Sequence, residues 1–352
     1  MRLEKVRQKL NENGLQALLV HSAPNVFYLS GFTGTNATLL VNPHSAYLFT
    51  DFRYMEQAEK EAPNFEIVKV TADPYAAIAD RVHDISVIGV EEDALTWGEF
   101  QKLQQTLTWC HFQNASDIFN KLRQIKDDQE IGLIRKAVEI TDLAFAQTVA
   151  KIQPGITEEA LSLELEYAQR KRGASGRSFD YIVASGIRSS LPHGVATSKK
   201  IQNGEFLTVD MGAIYQRYCS DFTRTLFLGE QSSKHHEIYH IVLEAQLAGL
   251  TALKPGVKAK DVDAAVREVI AKAGYGDYFG HGLGHSLGLE IHETPSLNTR
   301  DETILEAGMV LTVEPGIYIP EWGGVRIEDV ALITKSGAEV LTQTTKQCII
   351  ID

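Results

Sequence analysis

Only three cysteines occur in the 352 residues, Cys110, Cys219 and Cys348. The number is odd and none has a close neighbour of its own kind. That excludes a disulfide framework and a cysteine-based metal motif, and fits reduced thiols in a cytosol. No uncharged apolar run approaches the ~18 residues that a membrane-spanning helix needs, so no bilayer crossing is expected. The first ten residues lack the apolar stretch of a secretory leader and instead space Leu3, Val6 and Leu10 as one face of a short helix. A cytoplasmic location is the expectation. Positive charge is scarce as well: 34 Lys and Arg against 46 Asp and Glu leave a net charge of -12. A sequence-independent grip on nucleic-acid phosphates is therefore not expected.

What is present describes an ordinary folded chain, 44% hydrophobic and 23% charged. At ~150 residues per domain, the length favours two domains. Up to about residue 120, short β-type runs (15–21, 37–41, 46–50, 65–70) alternate with helical stretches such as 54–62, as in an α/β domain. Ser116 and Asp117 open a short helix, and Asp127-Asp128-Gln129-Glu130 has the form of a capped start to a long one. The expected division is thus 1–120 and 121–352.

The second part repeats itself. Gln153-Pro154-Gly155 opens a helix that stops at Gly173-Ala174, and Lys254-Pro255-Gly256 opens one that stops at Gly274-Tyr275, with 19 residues from Pro to Gly in both. Further on, the segment 204–212 matches 308–316, placing Asp210 and Glu314 at the same distance from Gly204 and Gly308. A second acid follows each, Asp221 after 11 residues and Glu328 after 14. These spacings suit antiparallel hairpins, with strands 207–212 and 218–227 in one copy and 310–318 and 325–333 in the other.

Four acids on apolar strands are expected to be partly buried, where like charges repel, so something positive must hold them. For any one acid, an ion pair with Arg224 or Arg326 suffices. The duplication favours a different answer: two equivalent acid pairs on one axis form an oxygen-rich cage for two divalent cations ~3.5–4 Å apart, with bridging carboxylates. His281, His285 and His292 crowd one glycine-broken stretch, at spacings of 4 and 7, where backbone can pass close to a ligand. His193 occupies the matching place in the first copy. The segment His236-Glu237-Ile238-Tyr239-His240 fits a zinc-protease pattern. On a helix, however, Ile238, Ile241, Val242, Ala245 and Ala248 form the apolar stripe and both histidines face away from it, so no zinc site is expected there.

With these residues named, the chain resembles the prolidase and aminopeptidase P family of dinuclear metallopeptidases. Asp210 with Asp221, the stretch 281–293, Val313-Glu314-Pro315-Gly316-Ile317-Tyr318 and Gly323-Gly324-Val325-Arg326-Ile327-Glu328-Asp329 fit the family pattern in order and spacing, and 25–32 and 50–54 resemble its N-terminal domain. The resemblance implies an α+β protein: an N-terminal α/β, creatinase-like domain followed by a pita-bread catalytic domain with internal pseudo-two-fold duplication. It implies Asp210, Asp221, His285, Glu314 and Glu328 as ligands of two metal ions, with Asp221 and Glu328 bridging. His193, His281 and His292 would be catalytic and substrate contacts, Glu314 a proton shuttle, and Arg326 would orient the ligands. One imidazole with four carboxylates favours manganese, with cobalt or zinc as alternatives.

The implied reaction is hydrolysis of an Xaa-Pro bond by a metal-bridging hydroxide, with histidines stabilising the developing oxyanion. The substrates are proline-containing di- or oligopeptides, the first expectation is an Xaa-Pro dipeptidase, and the implied assembly is a homodimer. An Xaa-Pro aminopeptidase is the alternative, and a peptide-binding module without catalysis a remote one. Methionine aminopeptidase shares the fold and ligand set but is opposed by the additional N-terminal domain and by the 324–329 signature.

Overall fold

The computed structural model describes residues 2–351. The chain divides into two compact units, Met1–Arg123 and Gln124–Asp352. Among the described residues, no helix is long and apolar enough to cross a membrane. None of the three cysteines is in a disulfide.

The first unit is built on a six-stranded mixed sheet, in the order Glu66–Lys69, Ala46–Thr50, Thr38–Val41, Ala17–Val20, Val87–Val90, His111–Asn114. The strand Thr38–Val41 runs antiparallel to both neighbours, and the remaining pairs are parallel. Its central strands read as unbroken apolar runs, with Leu18, Leu19, Val20, Leu39, Leu40 and Val41 all buried, because helices cover a sheet of this kind on both faces. The opening helix, Arg2–Glu12, buries Val6 and Leu10.

The duplication governs the second unit. Each copy begins with a long helix, Asp128–Val149 or Ser233–Ala252, started by a capping box in which Asp127 or Ser232 accepts from the third helical N–H. A 14-residue helix follows, Glu158–Lys171 or Ala259–Lys272. The glycines that frame it take the left-handed conformation pairwise: Gly155 (φ 94) with Gly256 (φ 86), and Gly173 (φ 99) with Gly274 (φ 89). Even the tethering bonds repeat, Gly155 N–H to the Ile201 carbonyl and Gly256 N–H to the Leu305 carbonyl, each 2.8 Å. Leu161, Leu165, Leu207 and Val209 fill one core, and Val262, Val266, Leu311 and Val313 fill the other.

The hairpins differ from expectation in one respect. The strands expected at 310–318 and 325–333 are each broken in two. Val310–Val313 pairs with Asp329–Ile333, whereas Gly316–Ile319 pairs with Gly323–Arg326 in a separate two-stranded sheet. The run expected at 218–227 likewise breaks into Tyr218–Cys219 and Thr223–Leu228. Pro315 has no N–H to give a ladder, which explains one break. Each break carries an acid: Glu314 and Glu328 interrupt the second copy, Asp221 interrupts the first, and Asp210 ends its strand. Side chains at such points can turn toward a common centre instead of alternating across a sheet.

Candidate metal centre

Asp210, Asp221 and Glu328 converge so that one oxygen from each lies within 4.8 Å of the other two. All three are buried. Asp221 accepts the Phe222 N–H at 3.0 Å, and Glu328 accepts the Thr223 hydroxyl at 2.6 Å. The remaining oxygens, Asp210 Oδ1 and Glu328 Oε1, are buried with no hydrogen-bond partner among the described residues. A buried anionic oxygen without a donor is costly, and a cation is the partner that removes the cost. By this test the residues fit divalent metal ions.

His285 completes the arrangement. Its Nδ1 lies 3.1 Å from the Ser286 carbonyl, which fixes the proton on that nitrogen and leaves Nε2 pointing at the acids. Nε2 stands 3.4 Å from Glu314 Oε1 and 3.6 Å from Asp221 Oδ2, close enough to share an ion with both. Glu314 accepts the Thr312 hydroxyl at 3.3 Å, and Thr312 also receives the His285 N–H at 3.0 Å. Gly284 permits this approach, since a Cβ there would collide with the Thr312 carbonyl.

Burial raises the pKa of every acid in the group. Asp210 is raised by desolvation against the opposing pull of Arg326. Asp221 and Glu328 are pushed well up by burial and then by neighbouring carboxylates, and Glu314 is pushed up to about 8, chiefly by burial. Burial also lowers His281 and His285 to about 4, so both rings are neutral at pH 7.

The simpler ion-pair reading holds for one acid only. Arg326 donates to Asp210 Oδ2 at 2.6 Å, and its other nitrogens reach the Tyr318 hydroxyl at 2.8 Å, the Thr223 hydroxyl at 3.2 Å and the Pro192 carbonyl at 3.3 Å. Arg224 serves none of the four. It is committed to Asp329 at 2.8 Å and to backbone carbonyls, with Lys346 and Gln246 also on Asp329.

A cavity of about 810 Å³ opens over this group, lined by His193, His281, His285, His292 and the acids Asp210, Asp221, Glu314 and Glu328. The histidines differ in commitment. His281 is held on both ring nitrogens, Nδ1 2.8 Å from the Gly282 carbonyl and Nε2 2.9 Å from the Tyr318 hydroxyl. The rings of His193 and His292 have no hydrogen bond among the described residues, and His292 stands edge-on to His285 at 4.4 Å. Tyr318, Thr223 and Thr312 were not singled out from the sequence. The alternation Glu314, Gly316, Tyr318 was the available signal, since residues two apart share a face of a strand.

The second unit and the first match known families separately. Residues 132–335 match metallopeptidase family M24, and residues 2–125 match the creatinase/prolidase N-terminal domain. The chain belongs to metallopeptidase family M24. This M24 chain is a hydrolase of the prolidase type, with the pita-bread architecture of its neighbours. It is 41% identical to an Xaa-Pro dipeptidase of Pyrococcus horikoshii over 99% of this chain and 98% of that one. Among solved structures, an Xaa-Pro dipeptidase from Bacillus anthracis superimposes with a TM-score of 0.97 at 45% identity, covering 99% of both chains. An X-Pro aminopeptidase from Thermotoga maritima superimposes at 0.93, with 38% identity and full coverage of both. Membership of M24 implies divalent metal ions, consistent with the acidic cluster.

The zinc-protease pattern at 236–240 plays no part in this centre. Both histidines are exposed on the helix Ser233–Ala252, and His240 faces Glu244 at 3.2 Å. The double variant His236→Ala with His240→Ala is expected to keep wild-type peptidase activity and metal content; loss of metal on elemental analysis would reinstate a site there.

Proposed function

We propose that the protein is an Xaa-Pro dipeptidase whose two divalent cations, manganese first, are held by Asp210, Asp221, His285, Glu314 and Glu328. Residues 1–120 and 121–352 are its N-terminal and catalytic domains. The observation that carries the metal assignment is the pair of orphaned, buried oxygens on Asp210 and Glu328, in a cluster whose other acids, Asp221 and Glu314, face the His285 imidazole. Bound there, the cations would supply the Lewis acidity that makes a nucleophile available from water near neutral pH.

The chain's own groups do the rest. Glu314, held beside the cluster by the Thr312 hydroxyl, takes a proton from the nucleophile and returns it to the leaving amine. His193 and His292, uncommitted at the cavity wall, donate to the peptide carbonyl and to the oxyanion that develops from it. His281 acts through Tyr318, whose hydroxyl also receives Arg326, so that the guanidinium keeps Asp210 oriented. Phe179, Ile182, Val195 and Ile291 give the cavity an apolar wall suited to a pyrrolidine ring.

Arg300 favours a dipeptide over a longer peptide. Three arginines line the cavity. Arg267 is bound to Asp263, and Arg326 to Asp210. Arg300 has no side-chain partner among the described residues, and its backbone is pinned by Asn298, which accepts the N–H groups of Arg300 and Asp301. In a cavity rich in acids, a free guanidinium matches the carboxylate at the end of a dipeptide. A charged hydrogen bond of this type contributes ~1.5–3 kcal/mol. Arg300→Ala should therefore raise KM for Ala-Pro by about 10–100-fold and leave Ala-Pro-amide unchanged. Wild-type enzyme that cleaves an Xaa-Pro tripeptide with higher kcat/KM than the dipeptide would shift the assignment to an Xaa-Pro aminopeptidase. A cytoplasmic homodimer belongs to the same proposal, supported by the family resemblance and by cysteines outside any disulfide.

A further inference from the structure

His193 has no hydrogen bond from its ring, so its place over the cavity is set entirely by the backbone that carries it. That backbone is an arch, 185–197, whose two ends are tied to a single side chain. Glu158, at the start of the helix Glu158–Lys171, is fully buried. Its Oε1 accepts the Ser185 N–H and the Ser185 hydroxyl, both at 2.8 Å. Its Oε2 accepts the Thr197 N–H at 3.1 Å, the Thr197 hydroxyl at 2.8 Å, and the Arg188 guanidinium. Arg188 then crosses the arch to the Val195 carbonyl at 2.7 Å.

Two contacts from the other copy complete the arch. The Ser189 hydroxyl accepts the Gly324 N–H at 2.8 Å, and Arg326 reaches the Pro192 carbonyl. Gly324 must be a glycine here, because a Cβ would collide with the Ser189 carbonyl. The arch is thus anchored at its crown to the strand that bears Arg326, and at its base to Glu158.

The second half solves the same problem with different residues. Asp263, buried on the matching helix Ala259–Lys272, accepts Arg267 Nε at 2.6 Å and the Leu283 N–H at 3.1 Å. Arg267 also donates to the Phe279 carbonyl at 3.0 Å and to the His281 carbonyl. Asp263 does not stand at the position equivalent to Glu158, which is Ala259 by the alignment of the two helices. A buried acid with an arginine is therefore not simply carried over from the duplication.

We propose that Glu158 is a positioning residue for peptide hydrolysis, holding His193 against the substrate by closing the base of the arch 185–197. This rests on the reading of His193 as a substrate contact. A buried carboxylate saturated by five donors in two directions fixes the separation of the arch ends, and misplacing a contact group by ~1 Å can cost 10²-fold in rate.

The test is a double-mutant cycle on the manganese-loaded enzyme with Ala-Pro as substrate. Glu158→Gln should lower kcat/KM by up to about 100-fold with wild-type metal content. The double variant Glu158→Gln with His193→Ala should be no worse than His193→Ala alone, because the two act through one contact. Multiplying losses, or an unaffected Glu158→Gln beside an impaired His193→Ala, would overturn the inference and leave the peptidase assignment intact. A fully active His193→Ala would instead remove the role given to His193, and the inference with it. Should Glu158→Gln fail to fold, Thr197→Val and Arg188→Gln each delete one tie and enter the same cycle, with smaller losses and the same non-additivity expected.

Discussion

Replacing Asp221 with asparagine is expected to lower peptidase turnover by more than ~100-fold, because the substitution removes one of the charges on which a two-cation centre depends. Asp221 sits in a break between two strands, buried, with Oδ1 on the Phe222 N–H and Oδ2 facing His285. Asparagine keeps that volume and can still accept the N–H, so the fold should survive. What it removes is the negative charge at an oxygen shared by the first copy and His285. The measurement is kcat on Ala-Pro together with metal per chain by elemental analysis. Near-normal turnover in this variant would rule out the centre described here.

Stripping the metal should make stability depend on pH in an unusual sense. Asp210, Asp221, Glu314 and Glu328 all have folded-state pKa values above their ordinary ones, chiefly through burial, with Glu314 at about 8. The folded metal-free chain then holds protons that the unfolded chain, with carboxylates near ~4, has released. Stability falls with rising pH wherever the folded state binds more protons. For Glu314 the contribution is fully present below its unfolded pKa and is lost as pH rises through about 8. The chelator-treated protein should therefore melt at a lower temperature at pH 8 than at pH 5. Manganese should reverse this at pH 8, adding about 2.7 kcal/mol at a hundred times its Kd. A melting temperature of the stripped protein that is indifferent to both pH and manganese would show that these acids do not form a cation site.

Much of this was readable from the sequence, for reasons that differ by level. The duplication showed in the matched Pro-Gly and Gly-to-acid spacings because those glycines must adopt positive φ, at helix ends or in turns that open a helix or a strand, where other residues are strained. The long helix of the first copy announced itself through its cap at Asp127, whereas the matching cap at Ser232 emerged only from the structure. The apolar stripe of the helix Ser233–Ala252 correctly turned His236 and His240 to solvent. The strand break at 314–315 had a sign in Pro315, which has no N–H to give a ladder, whereas the break at 327–328 was hidden, since only tertiary convergence reveals that the ladder stops there. The commitments of Thr223 and Glu158 were hidden for a related reason: each depends on a partner distant in sequence that no local pattern names. Glu158 in particular reads as an ordinary acid in the first turn of a helix, and only the arch folded over it makes it more than that.

The centre draws Asp210 and Asp221 from one copy and His285, Glu314 and Glu328 from the other, so neither copy owns a complete set of donors. On the proposed ligand set, a chain still being synthesised offers a cation an incomplete set of donors. Only after translation has passed Glu328 can the set close. With that set as the centre, a truncated product ending before Glu328 would be inert toward peptides.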